Sequence, residues 1–109
     1  KVIAQKKNQT VMVFDEVDSG IGGAVSSAVG ERLKKLGRSR QVIVVTHSPQ
    51  VAAYGNNHFV VKKVNHNKDT KINVIKINLD EKIKEVARML SGKVITQEAI
   101  KAAKKLIEN

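Results

Sequence analysis

Cysteine is absent from this 109-residue chain, which removes both a disulfide framework and a thiolate metal site. Aromatic residues are almost absent too: Phe14, Phe59 and Tyr54 are the whole set, too few to form a platform on which bases stack. Nowhere does an apolar run approach the roughly 20 residues that span a bilayer, and no signal-peptide pattern opens the chain. The expectation is therefore a soluble, cytoplasmic protein with no membrane partner. The Gly-x-x-x-x-Gly-Lys-Ser/Thr phosphate loop is missing as well. Its nearest approximation, Ser91-Gly92-Lys93, has neither the preceding glycines nor the following hydroxyl residue and reads as a helix stop. Acids are scarce relative to bases, 10 against 20, and the net charge of +10 suggests affinity for polyanions such as nucleic acid or nucleotide. Much of that charge gathers at Arg32, Lys34, Lys35, Arg38 and Arg40, around one predicted helix end and the following turn. Cations there also offset the helix macrodipole, so a solvated, dipole-compensating face accounts for them equally.

Against these absences stands Thr10-Val-Met-Val-Phe-Asp-Glu-Val-Asp18, an apolar run that ends in two adjacent acids. Open α/β sheets place their ligands at the carboxyl ends of such strands. This is a Walker B arrangement: Asp15 is suited to help hold a hydrated Mg²⁺ beside nucleotide phosphates, because a hard cation wants oxygen ligands. Glu16 lies one residue further out, where a carboxylate can polarise or deprotonate a water. An ordinary strand end with solvated acids is the alternative from these residues alone. Downstream come the glycine-rich turn Asp18-Ser-Gly-Ile-Gly-Gly23, a helix, the apolar strand Gln41-Val-Ile-Val-Val-Thr46, and then His47-Ser-Pro-Gln50.

Acid pair, tight loop, helix, strand and histidine follow one another in the order used by ABC-type ATPase heads. Phe14-Asp-Glu-Val-Asp-Ser-Gly-Ile-Gly-Gly23 with Val45-Thr-His-Ser-Pro-Gln-Val-Ala52 resembles the C-terminal part of the RecN family, bacterial SMC-like proteins of DNA double-strand-break repair. The resemblance runs through nearly the whole chain and is strongest between residues 10 and 55. It implies that Asp15 is the Walker B aspartate acting on Mg²⁺ through water, and that Glu16 is the catalytic glutamate. Asp18, Ser19, Gly20, Ile21, Gly22 and Gly23 then form the D-loop, and His47 is the switch histidine that senses the γ-phosphate of ATP. The wider ABC superfamily usually ends the D-loop in aspartate, where this chain has Gly22.

The fold expected is α/β: residues 1–109 as the C-terminal lobe of a split ABC/SMC-type P-loop ATPase head. A parallel βαβ core is followed by a β-hairpin and two C-terminal helices. The crossover is expected to be right-handed, and Val42 to Val45 to be a central strand buried on both faces. In order, residues 1–9 read as the end of a helix and a polar turn. Val25, Ala28, Val29, Leu33 and Leu36 recur at helical spacing up to the stop at Gly37. A short helix is expected over Gln50–Tyr54, with Pro49 in its first turn. Strands over 58–63 and 71–79 are expected to flank the polar loop Asn65–Thr70, with His58 and His66 on the surface. Asp80 is the expected N-cap of a helix through Leu90, buried through Ile83, Val86, Ala87 and Leu90. Thr96 opens the last helix, Gln97–Ile107. Both terminal helices are expected to pack against the sheet.

Functionally, the resemblance implies ATP binding between two dimerised heads and hydrolysis by a water activated at Glu16, coupled to double-stranded DNA. Its other implied partners are an N-terminal lobe and coiled coil of the same parent chain, in a bacterial, nucleoid-associated setting. The full-length protein would be an ATPase, whereas these residues by themselves are expected to be inactive. Two other classes share features of this site. A nucleotide-binding subunit of an ABC transporter has the acid pair and histidine, but usually reads Ser-x-Leu-Asp where this chain has Ser19-Gly-Ile-Gly22. A DNA clamp or scaffold controlled by nucleotide, without turnover, would have no use for the base at Glu16.

Overall fold

The structure is a computed structural model that describes residues 10–15 and 22–108. The expected helix end at residues 1–9 lies outside the described residues. Strands β1 (Val11–Asp15) and β2 (Gln41–Val45) pair in parallel, with Val11 opposite Gln41 and Asp15 opposite Val45. Helix α1 (Gly23–Leu36) makes the crossover. Its last turn carries Lys34 and Lys35, which favour the negative end of the helix dipole, and Gly37 closes it by donating its N–H to the Leu33 carbonyl at 3.0 Å.

The strand pair is half covered rather than buried on both faces. Met12, Phe14, Val42 and Val44 are half-buried, while Val13 remains 65% and Val45 51% exposed on the opposite face. Alternation of side chains along a strand sends these two sets to opposite sides, and α1 lies over the first. The apolar stripe of α1 is also less covered than its spacing suggests. Val25, Ala28, Val29 and Leu33 join Phe14 and Arg32 around an open groove of about 350 Å³. The residues of α1 that are buried are the small ones, Ser26 and Gly30. They face the one-turn helix α2 (Pro49–Ala52), which comes so close that only small side chains fit between.

The hairpin is longer and tighter than expected. Strand β3 (His58–His66) pairs antiparallel with β4 (Asp69–Ile77) down to His66 opposite Asp69. The turn is only Asn67-Lys68, and Asn67 supplies the positive φ of 58° that a two-residue hairpin turn demands. The polar residues read as loop thus belong to the strands, with the Thr70 hydroxyl donating to Asn65 Oδ1 at 3.1 Å.

Strand β4 stops at Ile77 because Asn78, not Asp80, caps helix α3 (Leu79–Ser91). Asn78 Oδ1 accepts from the Glu81 N–H at 2.8 Å, and Glu81 Oε1 accepts from the Asn78 N–H at 3.0 Å, a reciprocal capping box. Asp80 sits in the first turn, where an acid suits the dipole. Helix α3 ends at Gly92, whose φ of 83° suits a residue without a Cβ. Helix α4 (Gln97–Glu108) is capped by Thr96, whose Oγ1 accepts from the Ala99 N–H at 3.1 Å.

Helices α3 and α4 pack chiefly on each other rather than on the sheet. Val86, Ala87, Ala99 and Ala103 form their buried contact, flanked by Ile83, Ile100, Leu106 and Ile107. Alanine on both helices lets the backbones approach and leaves the longer apolar chains to seal the edges, with Leu90 left at the exposed margin. Helix α2 bridges the two parts of the fold, touching α1 on one side and α3 on the other.

Candidate functional site

Three segments converge at the carboxyl end of the parallel pair. Asp15 is the last residue of β1 and is exposed, opposite Val45 at the end of β2. His47 follows Val45 by two residues and is also exposed. Gly22 is the N-cap of α1, where its carbonyl accepts from the Ser26 N–H at 2.9 Å, and Gly23 begins the helix. Glu16 and the expected loop residues Asp18, Ser19, Gly20 and Ile21 lie outside the described residues.

The turn carrying His47 is held by its neighbours. The Ser48 N–H donates to Thr46 Oγ1 at 2.9 Å, and Ser48 Oγ accepts from the Val51 N–H at 3.3 Å, capping α2. Ser48 Oγ in turn donates to Gln50 Oε1 at 3.1 Å. Pro49 in the first turn has no N–H to satisfy and a φ already suited to the helix. Gln50 also reaches α1: a Cβ at Gly23 would lie 3.3 Å from its Nε2. The glycine at the start of α1 therefore lets the helix start sit against the histidine-bearing turn.

Among the described residues no group of three or more His, Cys, Asp or Glu is arranged to hold a metal ion. Asp15 offers a carboxylate at an open strand end, a donor that fits a magnesium ion held mainly by water and phosphate oxygens.

Two residues near this site escaped the sequence reading. Lys82 on α3 is buried, 8% exposed, and its Nζ donates to the carbonyls of Ala53 at 3.1 Å and Gly55 at 2.5 Å. Burial lowers its pKa, and the neighbouring charge of Lys34 lowers it further. The available signal was its helical position one turn before Val86, on the apolar side of α3. His58, expected on the surface, is half-buried, and its Nδ1 is buried without a hydrogen-bond partner. Its pKa is lowered by burial first and by Lys82 second, against an opposing pull from Glu85. His66, by contrast, is exposed as expected.

The His58 shift carries a pH prediction. The unfolded chain holds the imidazole proton more tightly than the folded one, so stability is greatest above the ordinary value of 6.5 and is lost as pH falls below it. An NMR titration of His58 is expected to place its midpoint below 6.5. Urea unfolding midpoints are expected to fall between pH 7.5 and 5.5, about as the linkage relation requires, and less so in His58→Asn.

The basic cluster is arranged as a solvated helix end would be. Lys35 Nζ lies 3.6 Å from Glu31 one turn earlier, with both side chains mostly exposed. Arg40 reaches back to Met12 Sδ at 3.7 Å.

No family model matches the chain. Its sequence is similar to the DNA repair protein RecN of Rickettsia bellii, 50% identical over 102 residues that make up 94% of this chain and 18% of that protein. RecN of Rickettsia felis is 52% identical over 96 residues, 88% of this chain and 18% of the relative. For RecN of Vibrio cholerae the figures are 41% over 106 residues, 97% of this chain and 19% of the relative. The chain thus spans less than a fifth of the length of the curated relatives it matches. Among solved structures it is similar in fold to a chain from work on ATP-driven dimerization and DNA-stimulated activation of SMC ATPases. That likeness has a TM-score of 0.60 and 18% identity, and covers 84% of this chain and 55% of the other. With about half of its residues matched identically in RecN proteins, and a fold similar to that of the SMC ATPase chain, this chain corresponds to a C-terminal segment of RecN.

Proposed function

We propose that residues 1–109 are the C-terminal lobe of an ATPase head, and that the full-length protein hydrolyses ATP between two dimerised heads in DNA double-strand-break repair and recombination. The observation that carries this reading is the placement of Asp15 and His47 at the same end of adjacent parallel strands, with the Gly22–Gly23 helix start packed against the histidine-bearing turn. ATP and Mg²⁺ are the cofactors of this proposal, the ion supplying charge neutralisation at the phosphates when bound. Asp15 orients the water shell of that ion. Glu16 accepts a proton from the attacking water, and His47 donates a hydrogen bond to a γ-phosphate oxygen. Asp18, Ser19, Gly20, Ile21, Gly22 and Gly23 serve as the D-loop of this proposal.

Positioning and electrostatic stabilisation carry phosphoryl transfer, and the phosphate loop that supplies half of the groups lies in the N-terminal lobe in this proposal. Hydrolysis by the 109 residues alone is accordingly negligible. A coiled coil of the same parent chain links the lobes, and the working protein acts in the bacterial cytoplasm on the nucleoid. The relatives are repair proteins by name, which favours this reading over a transporter subunit.

The test is steady-state ATP turnover by a full-length RecN protein carrying this segment, with and without linear double-stranded DNA. DNA-stimulated turnover supports the proposal. ATP binding without turnover in either condition replaces it with a nucleotide-controlled clamp.

A further inference from the structure

We infer that Lys82 is a positioning residue for His47, acting through helix α2. The inference rests on the role proposed above for His47. Helix α2 is a single turn of 4 residues, too short to hold its own shape or place. Its N-terminal end carries the His47-Ser48 turn, and its C-terminal end presents the carbonyls of Ala53 and Gly55, which no helical N–H satisfies. Lys82 meets both from 29 and 27 residues away in sequence.

An amine taken out of water is costly unless it is hydrogen-bonded, and an apolar chain of similar length would fill the same volume more cheaply. The ammonium therefore does something that packing alone does not. It ties the far end of α2 to α3, the helix anchored in the Val86–Ala103 core. Val51 and Ala53, buried at the same place, fix the height of the turn. With about 1.5 Å of rise per residue, the anchored carbonyl of Ala53 lies only about 7.5 Å along the helix from Ser48. A shift at the anchor therefore displaces the turn from which His47 extends, and phosphoryl transfer is sensitive to misplacement on the order of 1 Å.

A double-mutant cycle in the full-length RecN protein carrying this segment tests the inference, with kcat and KM for ATP measured at saturating linear double-stranded DNA. Lys82→Met keeps the apolar stem and removes the ammonium. It is expected to lower kcat about tenfold while KM for ATP moves by less than about twofold, the pattern of a lost transition-state interaction. Added to His47→Gln, it is expected to cause no further loss, because its effect passes through the imidazole. If Lys82→Met leaves kcat unchanged while His47→Gln lowers it, the positioning role is overturned and the site reading survives. Losses that multiply in the double variant also overturn it, since they place Lys82 on an independent path. If His47→Gln itself leaves turnover intact, the role of the histidine falls, and that of Lys82 falls with it. Should the methionine variant fail to fold, Lys82→Gln, whose uncharged amide is one bond shorter than the ammonium and does not replace both of its bonds, takes its place in the same cycle and is read by the same criteria.

Discussion

Replacing Glu16 by glutamine in a full-length RecN protein carrying this segment is expected to lower ATP turnover by about 10²–10⁴-fold while ATP still binds. The two side chains have nearly the same size, so the substitution leaves packing in place and removes only the capacity to accept a proton. Glu16 follows Asp15 directly, and Asp15 is held at the end of β1 by its pairing with β2. Single-turnover hydrolysis and equilibrium nucleotide binding, measured side by side, separate the two effects. Equal turnover in both proteins would show that Glu16 is not the base, and a joint loss of binding and turnover would assign it to nucleotide affinity instead.

The largest stability effect is expected at Gly30. A Cβ there would lie 2.5 Å from Tyr54 Cδ2, 3.1 Å from Cε2 and 3.3 Å from the Gln50 carbonyl oxygen. The tyrosine ring is half-buried and can swing outward, whereas the carbonyl belongs to the backbone of α2 and yields only if the helix moves. Gly30→Ala is therefore expected to destabilise the fold by about 1–3 kcal/mol, the usual cost of overpacking. Its gain in intrinsic helix propensity, about 1 kcal/mol, offsets part of this and sets the lower end of the range. Urea unfolding at neutral pH gives the number directly. A neutral or stabilising result would mean that α1 and α2 separate at little cost, which would also undercut the coupling of α2 to its surroundings on which the placement of His47 depends.

Much of the architecture was legible in the order of residues. The switch from β-branched runs to helical spacing after Gly23 gave β1, α1 and β2, and the stops at Gly37 and Gly92 hold in the structure. The boundaries that moved did so for local chemical reasons. Asn67 can take a positive φ, which allows polar residues read as a loop to pair as strand. Asn78 has Glu81 three residues later, completing a capping box that Asp80 lacks, and the strand ends earlier as a result.

The site divides in the same way. Asp15 and His47 are found where strand ends and chain order place them, because the carboxyl ends of neighbouring parallel strands must share one edge. Gly22 and Gly23 sit at the helix start next to Gln50, while Glu16, Asp18, Ser19, Gly20 and Ile21 fall outside the described residues. His58 reads as a surface ring from its immediate sequence, and Lys82 carries only the weak signal of its place one turn before Val86.

By itself, then, the sequence determined the elements, their order and the end of the sheet at which the acid and the histidine stand, since periodicity and turn chemistry act over a few residues. Tertiary structure alone decided that Lys82 is buried against carbonyls 27 and 29 residues away, that His58 is half-buried beside it, and that Gly30 lies close against Tyr54 and the Gln50 carbonyl. Desolvation and close approach depend on what a distant segment brings to the same place, and that is a property of the folded chain.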